Sequence, residues 1–346
     1  MRKVWLAAVI LWSGTAHAAE KTTATRGAIV PTKATSIARI EKTLFDGRVA
    51  WKISDGQSEA VIVPEWGRVM SFRRIGAPNW LWQAPPKNYG AGEWKNFGGD
   101  KSWPAPQSQW VAINGRGWPP PPEWDGMAHK AGVKNGKLWM VSRVAHGFGM
   151  RVVRQFWFDA NGDFVIEQAA EKISGAPLFS SLWSVTQIVP PEAIFLPTNP
   201  NSAYKNNFHW IAKPKIEIGA TSNVSPTLLR VIPSAGNDDN NFKIGTDAPI
   251  SAAVAVEAGW AFVVRSARPD GEYPDGAEKA GFPVELWNMG PRDIHYNELE
   301  LLSPLRLYKT GTRWRHTIRW SIHQLPTRDI NAPEMPIAIE QILNAK

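Results

Sequence analysis

Short runs in which apolar and polar residues alternate recur along the chain, and a period of two marks a half-buried β-strand. Residues 48–53, 59–63 and 68–72 form a first group, separated by turn residues. Residues 138–145, 150–158 and 164–170 form a second, with Asn161-Gly162-Asp163 as the turn joining its last two members. Residues 182–189 follow, then a long irregular stretch to about Asn241. Residues 250–256, 260–264, 284–287, 296–302 and 314–323 complete the set, and only residues 336–344 have helical character. Many strands at short spacing with almost no helix predict an all-β sandwich of large antiparallel sheets. No linker, repeat or low-complexity block breaks the pattern, so residues 39–346 are expected to form a single domain.

The alternation fails between residues 76 and 130. Here one run extends from Asn96 to Trp110 and a second from Gly117 to Gly126. They set Trp103, Trp110, Trp118 and Trp124 among Pro and Gly, beside Asp100, Lys101, Gln107, Glu123 and Asp125. With neither a helical nor a strand period, both runs are expected to be loops rather than core. Proline fixes φ and lowers the entropy cost of holding a loop still, and tryptophan is rarely spent on a mere connection. A stiff aromatic loop with interleaved polar groups is suited to a sugar ring.

The first residues add a compartment. Arg2 and Lys3, an apolar run over residues 4–12, and Ala16-His17-Ala18 have the three parts of a secretory signal, so residues 1–18 are expected to be removed. Residues 19–38 are polar and rich in Thr and Ala, and read as a mobile arm. The expected location is periplasmic or secreted, and no segment reaches the length of a membrane span. Removing Arg2 and Lys3 takes the formal charge from +8 to +6, on a surface where Lys and Arg are scattered. Nucleic-acid partners are therefore not expected. The absence of cysteine excludes disulfides, thiolate metal sites and cysteine nucleophiles.

Three segments then carry a resemblance. The run from Gly98 to Trp110, the strand from Ser181 to Gln187 and the strand from Tyr296 to Pro304, taken with the Trp118–Asp125 run, resemble the bacterial domain-of-unknown-function 4380 family. That family is similar to the galactose mutarotase (aldose 1-epimerase) superfamily, and the resemblance covers about residues 39–325. It implies a twisted antiparallel β-supersandwich. It also implies a Glu base that takes a proton from an anomeric hydroxyl, at Glu298 or Glu300. The superfamily's partner acid, a His on an earlier strand, has no counterpart, because residues 182–187 place Trp183 and Gln187 in that strand.

The residues themselves support a site of this kind. Tyr296, Glu298 and Glu300 alternate and share one strand face, with about 7 Å between successive side chains. Neighbouring carboxylates raise one another's pKa, which suits acid–base work. Trp183 and Gln187 share a face with Ser181 and Val185, and a carboxamide can bridge vicinal hydroxyls. Asp100, Lys101, Trp103, Gln107, Trp118, Trp124, Asp125, Trp183, Gln187 and Tyr296 are the expected sugar-binding residues. Glu298 and Glu300 are the candidate catalytic carboxylates. His146, at a strand end, is the first substitute for the missing acid and His295 the second; His316 is expected in the core. Asp100, Glu123 or Asp125 could oppose the Glu strand in a glycosidase. No metal-ligand spacing is present, Asn237–Asn241 reads as a polar turn, and no cofactor is expected.

Three functions fit. The first is an exported protein that binds a mono- or oligosaccharide in a sugar-sized cleft. The second is a sugar epimerase or mutarotase-type enzyme with a Glu base. The third is an envelope assembly protein with a vestigial pocket.

Overall fold

Twenty-one strands, numbered β1 to β21 in chain order, pair into two antiparallel sheets in a computed structural model that describes residues 38–86, 94–216, 221–276 and 281–345. The expected signal sequence and residues 19–37 of the expected arm lie outside the described residues. Across the first sheet run β1 (Arg39–Phe45), β2 (Arg48–Ser54), β3 (Ser58–Val63), β4 (Arg68–Arg74) and β5 (Asp100–Ala105). Next come β10 (Leu178–Ile188), β19 (Tyr296–Leu302), β18 (Val284–Met289), β15 (Phe242–Thr246) and β12 (His209–Ala212), with β20 (Arg306–Tyr308) pairing with β10 off this path. The second sheet orders β13 (Thr221–Ser225), β14 (Leu228–Val231), β11 (Ala193–Pro197), β16 (Ser251–Glu257) and β17 (Trp260–Ser266). It continues through β21 (Arg313–Gln324), β9 (Phe164–Lys172), β8 (Met150–Phe158), β7 (Lys137–Val141) and β6 (Lys130–Lys134). The expected all-β sandwich of large antiparallel sheets is the architecture found.

The main core lies between the sheets. Ile62, Val69, Phe72, Leu286, Leu299 and Leu301 come from the first, and Leu138, Phe156, Phe164, Ile166, Phe262 and Trp320 from the second. Leu299 and Leu301 alternate with Glu298 and Glu300, so the same period that fills the core turns both carboxylates to the sheet's outer face. The short helix α1 (Trp110–Asn114) follows β5, and helix α2 (Glu334–Asn344) covers the far side of the second sheet through Met335, Ile339 and Leu343. Residues Ser36–Lys346 form one compact unit.

Several expectations need correction. The stretch taken as irregular up to Asn241 contains β11 to β14, and β15 follows it; β11 is a fully buried Ala-Ile-Phe-Leu-Pro run. Such short strands, one closed by proline, leave too few residues for alternation to register. The edge strand β1 is half-exposed and mixed in pattern, and it too went unpredicted. The largest correction concerns the Asn96–Trp110 run, which is not a loop. Its centre is β5, buried along its whole length between β4 and β10. Buried charges on both faces hide its period, because Asp100 and Ser102 point to the sheet interface while Lys101 and Trp103 point outward. Gly98 and Gly99 make the entry possible: with φ of 91° and 71°, a Cβ on either would lie 2.2 Å from the Trp82 or Val69 carbonyl oxygen.

Candidate functional site

The outer face of the five central strands of the first sheet builds the site from side chains in register. Trp103 on β5 lies opposite Trp183 on β10, and Gln187 on β10 opposite Glu298 on β19. Trp287 on β18 also faces Glu298, Glu285 faces Glu300, and Lys243 on β15 faces Trp287. Over this face fold Trp94 and the Pro-rich run that carries Trp118. Between them lies a cavity of about 470 Å³, within the roughly 300–1,000 Å³ usual for small-molecule sites. Its walls are Trp94, Trp103, Trp118, Trp183 and Trp287 with Met289 and Ile294; Asn96, Gln107, Lys243, Tyr296, Glu298 and Glu300 supply the polar lining.

The indoles are held rather than merely packed. Trp103 meets Trp183 edge to face at 5.1 Å and Trp118 at 5.8 Å, and Trp118 meets Trp94 at 4.9 Å. Asp125 sits behind them with no exposed side-chain surface. Its Oδ2 accepts from Trp94 Nε1 at 3.0 Å and from Trp103 Nε1 at 2.9 Å, while Oδ1 accepts from Arg68 Nε at 2.9 Å. Burial pushes the Asp125 pKa up, but Arg68, Lys101 and the two indole donors outweigh it and hold the carboxyl below its ordinary range.

Two lysines neutralise the floor. Lys101 Nζ lies 3.2 Å from Glu298 Oε1, and burial lowers its pKa to about 8 against the attraction of that carboxylate. Lys243 Nζ lies 2.6 Å from Glu285 Oε2 and 3.0 Å from Glu300 Oε2, and Trp183 Nε1 donates to Glu300 Oε2 at 2.7 Å. Burial pulls the Lys243 pKa down, yet the two carboxylates outweigh it and raise it. Burial raises Glu285 well above the carboxylate range and raises Glu300 as well, with Lys243 opposing in both cases. Burial also raises Tyr296 and outweighs Asn96 Nδ2, which donates to its hydroxyl at 3.3 Å and pulls the other way. The cavity thus joins flat aromatic walls to a floor of hydrogen-bonding groups that includes two carboxyls on one strand face.

Trp103, Gln107, Trp118, Trp183, Tyr296, Glu298 and Glu300 line this cavity together. Lys101, Asp125 and Gln187 stand behind the lining: each is buried, and Gln187 bonds to Tyr296. Asp100 does not approach it. One residue out of phase with Lys101, it faces the second sheet, pairs with Arg154 and accepts from Thr186 Oγ1 at 2.9 Å. That placement also removes Asp100 as an opposing glycosidase carboxylate, and Asp125 is consumed by Arg68. Trp124 is a core residue whose Nε1 donates to the Met150 carbonyl at 3.1 Å. His146 is exposed and away from the lining, its amide donating to Glu123 Oε1 at 3.1 Å, so the substitute acid is not there. The His295 ring is taken up by the Met289 carbonyl. His316 is buried between the sheets.

Lys243, Glu285, Trp94, Asn96, Trp287, Met289 and Ile294 were missed. The alternation of Glu285 and Trp287 within the predicted strand over residues 284–287 was a readable signal, whereas Lys243 lay on a strand with no recognised pattern. Among the described residues no group of acidic and His side chains could hold a metal ion, and no helix is long and apolar enough to cross a membrane.

No protein-family model matches the chain, and no curated protein does. Solved structures do. The Slr1438 protein of Synechocystis sp. PCC 6803 is 12% identical with a TM-score of 0.53, over 82% of this chain and 99% of its own. A galactose mutarotase related enzyme from Lactobacillus acidophilus is 9% identical with a TM-score of 0.51, over 80% and 97%. The YeaD protein of Salmonella typhimurium is 12% identical with a TM-score of 0.51, over 82% and 94%. The chain also spans about half (49%) of a TPR-domain containing protein from Parabacteroides distasonis. At these identities the likeness defines the fold, which is galactose mutarotase-like.

Proposed function

We propose that this is an exported carbohydrate-binding protein whose cleft on the outer face of the first sheet holds a mono- or oligosaccharide. The observation that carries the reading is the convergence of five indoles with Glu298, Glu300, Lys243, Gln107 and Tyr296 around one cavity of about 470 Å³. Pyranose rings present apolar C–H faces to aromatic walls and a rim of hydroxyls to charged and amide groups, and this lining offers both. The same convergence counts against an assembly protein with a vestigial pocket. Export rests on the signal-like first 18 residues, and assignment to the domain-of-unknown-function 4380 family rests on the Gly98–Trp110, Ser181–Gln187 and Tyr296–Pro304 motifs. A glycan array spanning neutral and acidic sugars tests the proposal. Binding of a defined glycan class is expected, and no binding to any glycan contradicts it.

A second reading is favoured by one specific feature. Glu300, whose carboxyl burial inclines to keep its proton, shares a strand face with Glu298, so an acid and a base could serve one sugar without a histidine. As an epimerase or mutarotase the protein would accelerate anomer exchange of an aldose, read by NMR. An exchange rate unchanged by added protein for every common aldose removes the mutarotase version.

A further inference from the structure

A second cavity, of about 630 Å³, opens where β4 and β10 leave the first sheet beside the β16–β17 turn and the segment after β21. Val189, on its lining, follows the last residue of β10, and the lining shares no residue with that of the sugar cleft. Its walls are apolar and stiff: Ile75, Pro78, Trp80, Pro190, Pro191 and Ile322. Trp80 is fixed at its base, since its amide donates to the Phe72 carbonyl at 3.1 Å, its carbonyl accepts from the Val189 amide at 3.0 Å, and its ring packs 5.6 Å from Phe262.

Two arginines belong to the lining, beside the adjacent residues Gly259 and Trp260. The Arg74 guanidinium lies 5.2 Å from the centre of the Trp260 ring. Arg328 lies across the neighbouring turn, where a Cβ on Gly259 would sit 2.8 Å from its Cγ, and the Leu325 amide donates to the Gly259 carbonyl at 2.9 Å to hold that segment down. Glycine at φ 80° therefore makes room for this arginine. Neither arginine forms an ion pair among the described residues. The third charged group of the lining, Glu257, is engaged elsewhere, its Oε2 accepting from the Glu192 amide at 2.9 Å. Two cations against one carboxylate leave the lining with a formal charge of +1.

We propose that this cavity is a second ligand site, taking a small amphipathic anion. Arg74 and Arg328 would hold a carboxylate, and Trp80, the prolines and Ile322 would enclose an apolar body of ring or chain. Guanidinium groups suit this task because they present paired N–H donors to a carboxylate while their planes rest on aromatic faces. The site is independent of the sugar cleft and does not rest on the function proposed for it.

The test is calorimetric titration of the full chain with decanoate below its micelle concentration, against decanol and decyltrimethylammonium. One-to-one saturable binding of decanoate is expected, with the uncharged and cationic probes at least about tenfold weaker, the size of one lost charge-assisted contact. The double variant Arg74→Gln/Arg328→Gln should weaken decanoate at least tenfold while leaving glycan binding at the cleft unchanged, and the exposed Arg328→Gln alone should show part of that loss. Absence of saturable decanoate binding, equal affinity for all three probes, or an unaltered double variant would overturn the proposal. Sedimentation with phosphatidylglycerol vesicles without any binding of free decanoate would overturn it as well, since it would point to a lipid surface.

Discussion

Asp125 shows how one buried residue can set an aromatic wall. It does not line the cleft, yet it fixes the indole N–H groups of Trp94 and Trp103 and neutralises Arg68, whose side chain is fully buried. Replacing it by alanine leaves Arg68 with the Gly98 carbonyl but no counter-charge in the interior, a change that typically costs about 3–5 kcal/mol. Asp125→Ala is therefore expected to lower the urea midpoint by that equivalent and to weaken any sugar affinity, since both rings lose their tethers. A loss below about 1 kcal/mol would mean that Arg68 finds another partner and that the rings are held by packing alone. Lys243 plays the corresponding part on the floor, where it is the common cation of Glu285 and Glu300.

At the scale of elements, β5 decides what the aromatic run means. Its fully buried Asp-Lys-Ser-Trp-Pro-Ala sequence looks like a loop because charge and apolarity do not separate by face. Lys101 is paired on one side and Asp100 on the other, so tertiary partners supply what a simple pattern cannot display. By contrast, β8, β9, β16, β17, β19 and β21 were legible, since each alternates or runs apolar for long enough to register. The Tyr296–Glu298–Glu300 face was legible for the same reason. Lys243 was not, because nothing local distinguishes a five-residue strand carrying Lys and Gly from a turn. Helix α2 gives an independent test of how elements dock. Ile339 is buried against the outer face of the second sheet, so Ile339→Ala should destabilise by roughly 2–5 kcal/mol in denaturant unfolding. A cost under about 0.5 kcal/mol, the level of a surface change, would place the helix off the sheet.

At the scale of the whole molecule, two histidines buried among the described residues do not line the cleft. Burial lowers His129 and His316 to about 4, against an unfolded value of about 6.5. Between those limits the unfolded chain binds protons that the folded chain refuses. Stability from these groups is thus complete above about pH 6.5 and falls as pH drops toward 4, by an amount on the order of 3 kcal/mol for each. Glu285 and Glu300 act in the opposite sense, because burial raises them and their contribution declines as pH rises above the unfolded carboxylate value. Comparing wild type with His316→Gln isolates the histidine. The stability gap between them should narrow from pH 7.5 to pH 5, and a gap independent of pH would show that His316 titrates in the fold as it does in the unfolded chain.

The sandwich presents its two sheets differently: one outer face is covered by α2, while the other holds the cleft beneath Trp94 and Trp118. The proposed sugar site therefore lies on the first sheet. The most direct measurement is calorimetric titration of a glycan, chosen from the array, into wild type, Trp118→Ala and Glu298→Gln. Trp118 is half exposed at the mouth and Glu298 lies on the floor, so the two variants probe stacking and hydrogen bonding separately. Saturable binding by the wild type, weakened roughly tenfold by each substitution, is the predicted result. A glycan that binds all three proteins equally, or none that binds the wild type, would contradict the assignment of this cleft to carbohydrate.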